Sequence, residues 1–159
     1  MPVKTLVVSI GGCAVTANPE DCLITYALGS CIGIAIYDPV CRVGGLLHYL
    51  LPDSRIDAEK ARRNPYMFAD TGIPALFHLA YEAGAEKRRL RVIVAGGAQV
   101  LASELFKIGK RNELAMKKIF WQAGVLIGRQ ETGGDESRTM RLEVSSGRAF
   151  LRTGGRAEQ

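Results

Sequence analysis

The sequence predicts an α+β domain with a mainly antiparallel β-sheet sandwich core, a few flanking α-helices and a single folded unit. Three observations point there. Short apolar runs broken by turn residues fill the first third, a 3.6-residue apolar period appears in the middle, and a strict two-residue alternation closes the chain. Glycine supports the same reading: 18 of 159 residues is about 11%, against a usual level near 7%, which favours turns over long helices.

Taken in order, Val3 to Ile10 is β-branched and ends at Gly11-Gly12, which predicts a strand and a turn. Asn18-Pro19-Glu20-Asp21 is a second turn signal. From Leu23 to Tyr37 the chain is again rich in strand formers, interrupted at Ala27-Leu28-Gly29-Ser30, and Leu46 to Leu51 forms another strand that stops at Pro52. Between these, Asp38-Pro39-Val40-Cys41 carries the Asp-Pro chemistry of a type I turn. A tight hairpin about that turn pairs Tyr37 with Arg42, so paired numbers sum to 79 and Cys31 faces His48. A slip of one residue would put them on opposite faces, and a bulge at Gly44-Gly45 would change the count.

Ile73, Leu76, Phe77 and Ala80 recur at helical spacing, with Pro74 near the start and Gly84 past the end. Leu90 to Ala95 is a strand running into Gly96-Gly97. Met116, Ile119, Phe120 and Ala123 mark a second helix, with Asn112 as its N-cap and Gly124 as its stop. A short helix is expected around Ser103 to Lys107 and a strand over Val125 to Arg129. Thr139 to Ser145 alternates Met140, Leu142 and Val144 with polar residues and returns through Ala149 to Leu151 as a hairpin with one solvated face. Residues 1–153 form the expected domain, and 154–159 a polar, frayed tail.

Composition narrows the function classes. Met1-Pro2-Val3-Lys4 lacks the pattern of a secretory signal, and no apolar stretch nears the roughly 20 residues of a membrane span, so a cytoplasmic protein without direct membrane insertion is expected. The four cysteines, at 13, 22, 31 and 41, form no Cys-x-x-Cys pair, so the common zinc and redox signatures are not expected. Net charge is +5, with 12 basic and 7 acidic residues between positions 57 and 118. No nucleic-acid motif or stacking pair accompanies that excess, so it reads as a solvated surface able to steer an acidic partner.

Only two histidines exist. His78 reads as a helix-surface residue, whereas His48 sits among leucines, where a buried imidazole must find a hydrogen-bond partner. Cys13, Cys22 and Cys41 read as packing residues, while Cys31 follows Leu28-Gly29-Ser30, where glycine lets a thiol be presented beside main-chain N–H groups. A cysteine and a histidine suffice for nucleophilic acyl transfer, although a buried cysteine beside glycine is equally an ordinary packing residue.

The run Thr25-Tyr26-Ala27-Leu28-Gly29-Ser30-Cys31, continued by Tyr37-Asp38, Gly44-Gly45-Leu46-Leu47-His48 and Leu51-Pro52, resembles the CheD family of chemoreceptor glutamine deamidases. The similarity extends through Ala69 to Leu76, Gly96-Gly97-Ala98, Ile108 to Asn112 and Gly133-Gly134 with Arg138. Ala95 stands where the family commonly has Phe or Tyr, and Ser137 where it commonly has Gly. The resemblance implies a cysteine hydrolase of bacterial or archaeal chemotaxis that converts receptor glutamine to glutamate, in some members also hydrolysing glutamate methyl esters. It implies Cys31 as nucleophile, His48 as general base and acid, Thr25 as support for the histidine, and no cofactor. Implied partners are the cytoplasmic helices of a chemoreceptor and a CheC-type phosphatase; the alternative is a non-catalytic module binding either. An activated thiolate at Cys31 would be alkylated faster than the other three cysteines.

Overall fold

A computed structural model of the chain describes residues 3–101 and 107–159. Nine strands and three α-helices are found among the described residues: β1 (Lys4–Val7), β2 (Cys13–Thr16), β3 (Asp21–Leu28), β4 (Ile32–Asp38), β5 (Val43–Tyr49), α1 (Ala58–Arg63), α2 (Ala69–Glu82), β6 (Arg91–Gly96), α3 (Ile108–Ala123), β7 (Arg129–Thr132), β8 (Arg138–Glu143) and β9 (Ala149–Thr153). The strands form a four-stranded sheet, β1-β3-β8-β9, and a five-stranded sheet, β2-β5-β4-β6-β7. Pairing is mainly antiparallel, with parallel neighbours at β1-β3 and β6-β7.

The period-2 rule assigns the layers. On β4, Ile32, Ile34 and Ile36 pack towards α2 and α3, while Ala35 and Tyr37, with Cys31 just before the strand, face the other sheet. Both faces being covered, all seven residues of β4 are buried, which is why this strand shows no polar alternation. On β5, Leu47 and Tyr49 join the helix side and Leu46 the inter-sheet side. The helix layer is sealed by Ile73, Leu76, Phe77 and Ala80 of α2, with Phe77 against Phe120 of α3 at 5.9 Å between ring centroids. Each of the larger of these side chains, Ile73, Leu76 and Phe77, contributes about 1.5–3 kcal/mol of transfer free energy.

Several expectations change. The hairpin loop holds four residues, Pro39 to Arg42, and the register is Asp38↔Val43, so paired numbers sum to 81. Asp38 Oδ1 accepts from the Val40 N–H at 2.9 Å and Arg42 takes a left-handed φ of 56°, which together widen the turn. Gly44 and Gly45 form no bulge; they sit in regular pairing where a Cβ would meet Leu142 and Val144 at 3.1 Å on one face and Leu76 at 3.0 Å on the other. Helix α2 begins at Ala69, so Pro74 lies inside it and removes one ladder bond. The expected strand over 125–129 is instead an approach to β7, with Gly128 N–H donating to Val92 O at 2.8 Å. The expected helix around 103–107 falls, over residues 103–106, outside the described residues. The tail is not frayed: Leu151 and Gln159 exchange backbone hydrogen bonds at 2.7 and 2.8 Å, and Arg141 pairs with Glu158 at 2.6 Å.

Candidate active site

Thr25 on β3, Cys31 just before β4 and His48 on β5 are all buried. His48 on β5 stands opposite Gly33 of β4, not opposite Cys31. The register therefore differs from the expected one by two residues, which preserves the face: Cys31 is the diagonal neighbour of His48 on the inter-sheet side, in a relationship that spans roughly 7–8 Å in regular sheets. Thr25 reaches the same layer from the four-stranded sheet. Just after it, the β3-β8 register shifts between Thr25 and Leu28, and Ala27 adopts a left-handed φ of 57°. That irregularity turns the chain out of one sheet so that Gly29-Ser30 can deliver Cys31 to the start of β4 in the other.

The Gly29-Ser30-Cys31 segment is held by its carbonyls. Gly29 O accepts from Ala98 N–H at 2.8 Å, and Cys31 O from Gly97 N–H at 2.9 Å. Gly96 makes this approach possible: with φ 115°, a Cβ there would lie 2.1 Å from Cys31 O. His48 is fixed by reciprocal backbone bonds, its N–H donating to Gly12 O at 3.1 Å and its O accepting from Gly11 N–H at 2.8 Å.

Hydrogen-bond accounting assigns the imidazole tautomer. The Thr25 hydroxyl lies 2.6 Å from Val8 O and 2.7 Å from His48 Nδ1. A hydroxyl has one proton and a carbonyl can only accept, so Thr25 donates to Val8 O and must accept from His48 Nδ1–H. The neutral ring then carries its lone pair on Nε2, which is buried with no hydrogen-bond partner. Burial pushes the His48 pKa down to about 4, and the acceptor on Nδ1 is a neutral hydroxyl, which offers an imidazolium less support than a carboxylate. Burial likewise raises the Cys31 thiol to about 11, only partly offset by its own backbone N–H. Burial therefore disfavours both charged forms, the Cys31 thiolate and the His48 imidazolium, in the free protein.

Cys13 is also raised by burial, to about 12, and Cys22 is buried; all four cysteines are free. His78 is exposed and pairs with Glu82 at 3.0 Å. Among the described residues no cluster of three or more His, Cys, Asp or Glu side chains could hold a metal ion, and no helix is long and apolar enough to cross a membrane. Two residues were given other roles by local sequence patterns. Asn112, expected as an N-cap, lies inside α3 and reaches Ser30 and Leu50. Asp38, expected as a turn residue, is fully buried and binds the Arg89 guanidinium and the Glu86 N–H, both at 2.9 Å. Neither had a local signal, because the partners lie 48 or more positions away in the chain.

A layered α+β domain that encloses a thiol, an imidazole and a hydroxyl between its two sheets is the class that fold and site define. The chain belongs to the CheD family: the family model described as CheD chemotactic sensory transduction matches residues 50–153. That span begins just after His48, and full-length relatives extend the similarity across the three residues. The chain is 50% identical over 158 residues to the probable chemoreceptor glutamine deamidase CheD of Solibacter usitatus, covering 99% of this chain and 94% of the relative. It is 50% identical over 151 residues to the probable chemoreceptor glutamine deamidase CheD 1 of Syntrophus aciditrophicus, covering 94% of each. A more distant likeness is to the crystal structure of the hypothetical protein YfiH of Bacillus licheniformis, with TM-score 0.47 and 15% identity over 75% of this chain and 49% of that one.

Proposed function

We propose that this protein is a chemoreceptor glutamine deamidase in which Cys31 is the nucleophile, His48 the general base and acid, and Thr25 the residue that sets the histidine tautomer. The observation that carries the reading is the orphaned Nε2 of a fully buried histidine, left unprotonated by the Thr25 contact and facing the same layer as Cys31. Buried acceptors are normally hydrogen-bonded, so an unpartnered Nε2 in the same layer as a thiol favours a base over a packing histidine. The names of the full-length relatives support the same reading of the substrate.

In the mechanism, Nε2 takes the Cys31 thiol proton as sulfur bonds to the carboxamide carbon of a receptor glutamine. Burial disfavours both the thiolate and the imidazolium, so proton transfer to Nε2 is coupled to the attack of sulfur. The carbonyl oxygen becomes an oxyanion held by main-chain N–H groups, including that of Cys31. Collapse breaks the C–N bond, and imidazolium Nε2–H protonates the leaving ammonia. Water then gives a proton to Nε2 and attacks the thioester; Cys31 leaves and is reprotonated, and glutamate is released. A glutamate methyl ester fits the same path with methanol as leaving group. The substrate lies on the cytoplasmic helices of a chemoreceptor, and a CheC-type phosphatase is the second partner.

Incubation of a receptor cytoplasmic fragment with the protein should release ammonia and raise the mass of specific glutamine peptides by about 1 Da, the difference between amide and acid. Cys31→Ala should abolish both. Equal conversion by Cys31→Ala would remove Cys31 as nucleophile, and an unmodified receptor with wild-type protein would remove the deamidase reading.

A further inference from the structure

We propose that Asn112 is a positioning residue that aims the Cys31 N–H at the developing oxyanion. Asn112 is fully buried on α3, and its side-chain amide donates to Ser30 O at 2.8 Å and to Leu50 O at 2.9 Å. Both partners are carbonyls, so the amide can stand only one way round; the reverse orientation would set its oxygen against two others. Oδ1 is consequently buried with no partner. The backbone O of the same residue accepts from the Tyr49 hydroxyl at 2.6 Å, so α3 also grips β5 between His48 and Leu50.

The consequence follows from peptide geometry. Ser30 C=O and Cys31 N–H belong to one planar trans peptide unit, in which they point in opposite directions. Fixing the oxygen fixes the N–H. With Gly29 O and Cys31 O already held by the 97–98 backbone, the Asn112 bond completes a row of three restrained carbonyls and removes the last rotational freedom of that peptide. Among the described residues the Cys31 N–H has no backbone acceptor, and its contact is with its own thiol. A preset donor needs no reorganisation when charge develops, whereas one free to swing loses part of a contribution of roughly 10²–10³ in rate. This role rests on the deamidase reading for its biological substrate, but not for its test.

Two reagents separate positioning from general damage. Acylation of Cys31 by p-nitrophenyl acetate passes through a tetrahedral oxyanion; alkylation by iodoacetamide, a direct displacement, does not. Both need the thiol and the His48 base. In Asn112→Leu the acylation rate should fall by about 10- to 100-fold while alkylation stays within about threefold of wild type. On a receptor fragment the same variant should lose kcat with KM little changed. Should Asn112→Leu fail to fold, Asn112→Ala, which removes the donor without adding bulk, carries the same comparison. An unchanged ratio of acylation to alkylation, or an equal loss of both, overturns the proposal. If wild-type protein fails to deamidate the receptor while the ratio still falls in the variant, the deamidase reading fails and the positioning role stands.

Discussion

Thr25 carries more information than its size suggests, because a single hydroxyl proton decides the protonation pattern of the site. Its donation to Val8 O obliges His48 to hold its own proton on Nδ1, and only then is Nε2 a base. Thr25→Val keeps the shape and removes that logic. Nδ1–H is left without an acceptor at a cost of about 1–3 kcal/mol, and the ring is free to move its proton to Nε2. The expected outcome is a fall in kcat towards the roughly 10²–10⁴-fold that a positioned base contributes, with Thr25→Ser near wild type. Nitrogen-15 NMR of the imidazole checks the cause directly: in the wild type Nδ1 should be the protonated nitrogen, and in Thr25→Val the second tautomer should appear. A wild-type spectrum with Nε2 protonated would remove Thr25 from this role. Sequence placed Thr25 only through the family block; its β-propensity alone singles out nothing.

The paired strands β4 and β5 show what local patterns can and cannot deliver. Their existence, their apolar faces and the sharing of one face by Cys31 and His48 were all legible in the sequence. The exact pairing was not, because the turn length depended on Asp38, whose carboxylate is committed to Arg89 and Glu86 as well as to the turn. The two-residue error was harmless for the same reason that a one-residue error would have been serious: side chains repeat every second position. Gly44 marks the other element-level constraint, the close approach of the two sheets. Its missing Cβ is replaced by Leu142 and Val144 across the interface, at 3.1 Å from where it would lie. Gly44→Val should force the sheets apart and lower stability by about 1–3 kcal/mol, read as an earlier urea midpoint. It should also weaken the Thr25–His48 contact, which spans the same interface, so activity should fall with it. A midpoint equal to wild type would mean that the interface yields without strain.

Across the whole molecule, the buried histidine links the site to acid stability. His48 has its pKa lowered to about 4 in the fold and near 6.5 when unfolded, so below about 6.5 the unfolded chain binds the proton more readily. Stability is therefore full above that value and drains away as pH falls towards 4. Between pH 7 and pH 5 the loss should be about 2 kcal/mol by linkage. The buried Asp38 does not blur this window. Burial alone would raise its carboxyl, but the N–H groups of Glu86 and Val40 and the Arg89 guanidinium outweigh that and hold it at about 2. Urea midpoints at the two pH values should differ in wild type and converge in His48→Gln; equal wild-type midpoints would contradict the lowered pKa. The charge surplus also looks different once folded. Arg89 is committed to Asp38 at 2.9 Å, Arg63 pairs with Glu59 at 2.9 Å and Arg88 with Glu86 at 3.3 Å, so part of the basic middle third is already balanced within the chain.

By itself the sequence determined the α+β class, the helices α2 and α3, the terminal hairpin, and the shared face of Cys31 and His48. These depend on periodicity, turn chemistry and short-range pairing, all of which are written over neighbouring residues. Only the tertiary structure decided the four-residue turn, the tautomer of His48, the burial of Cys31 and His48 in one layer and the place of Asn112. Each of those is settled by atoms brought together from distant parts of the chain: Val8 with Thr25 and His48, Ser30 and Leu50 with Asn112, Asp38 with Arg89. Burial then sets the energy of every such contact, and burial is a property of the packed layers rather than of any one segment.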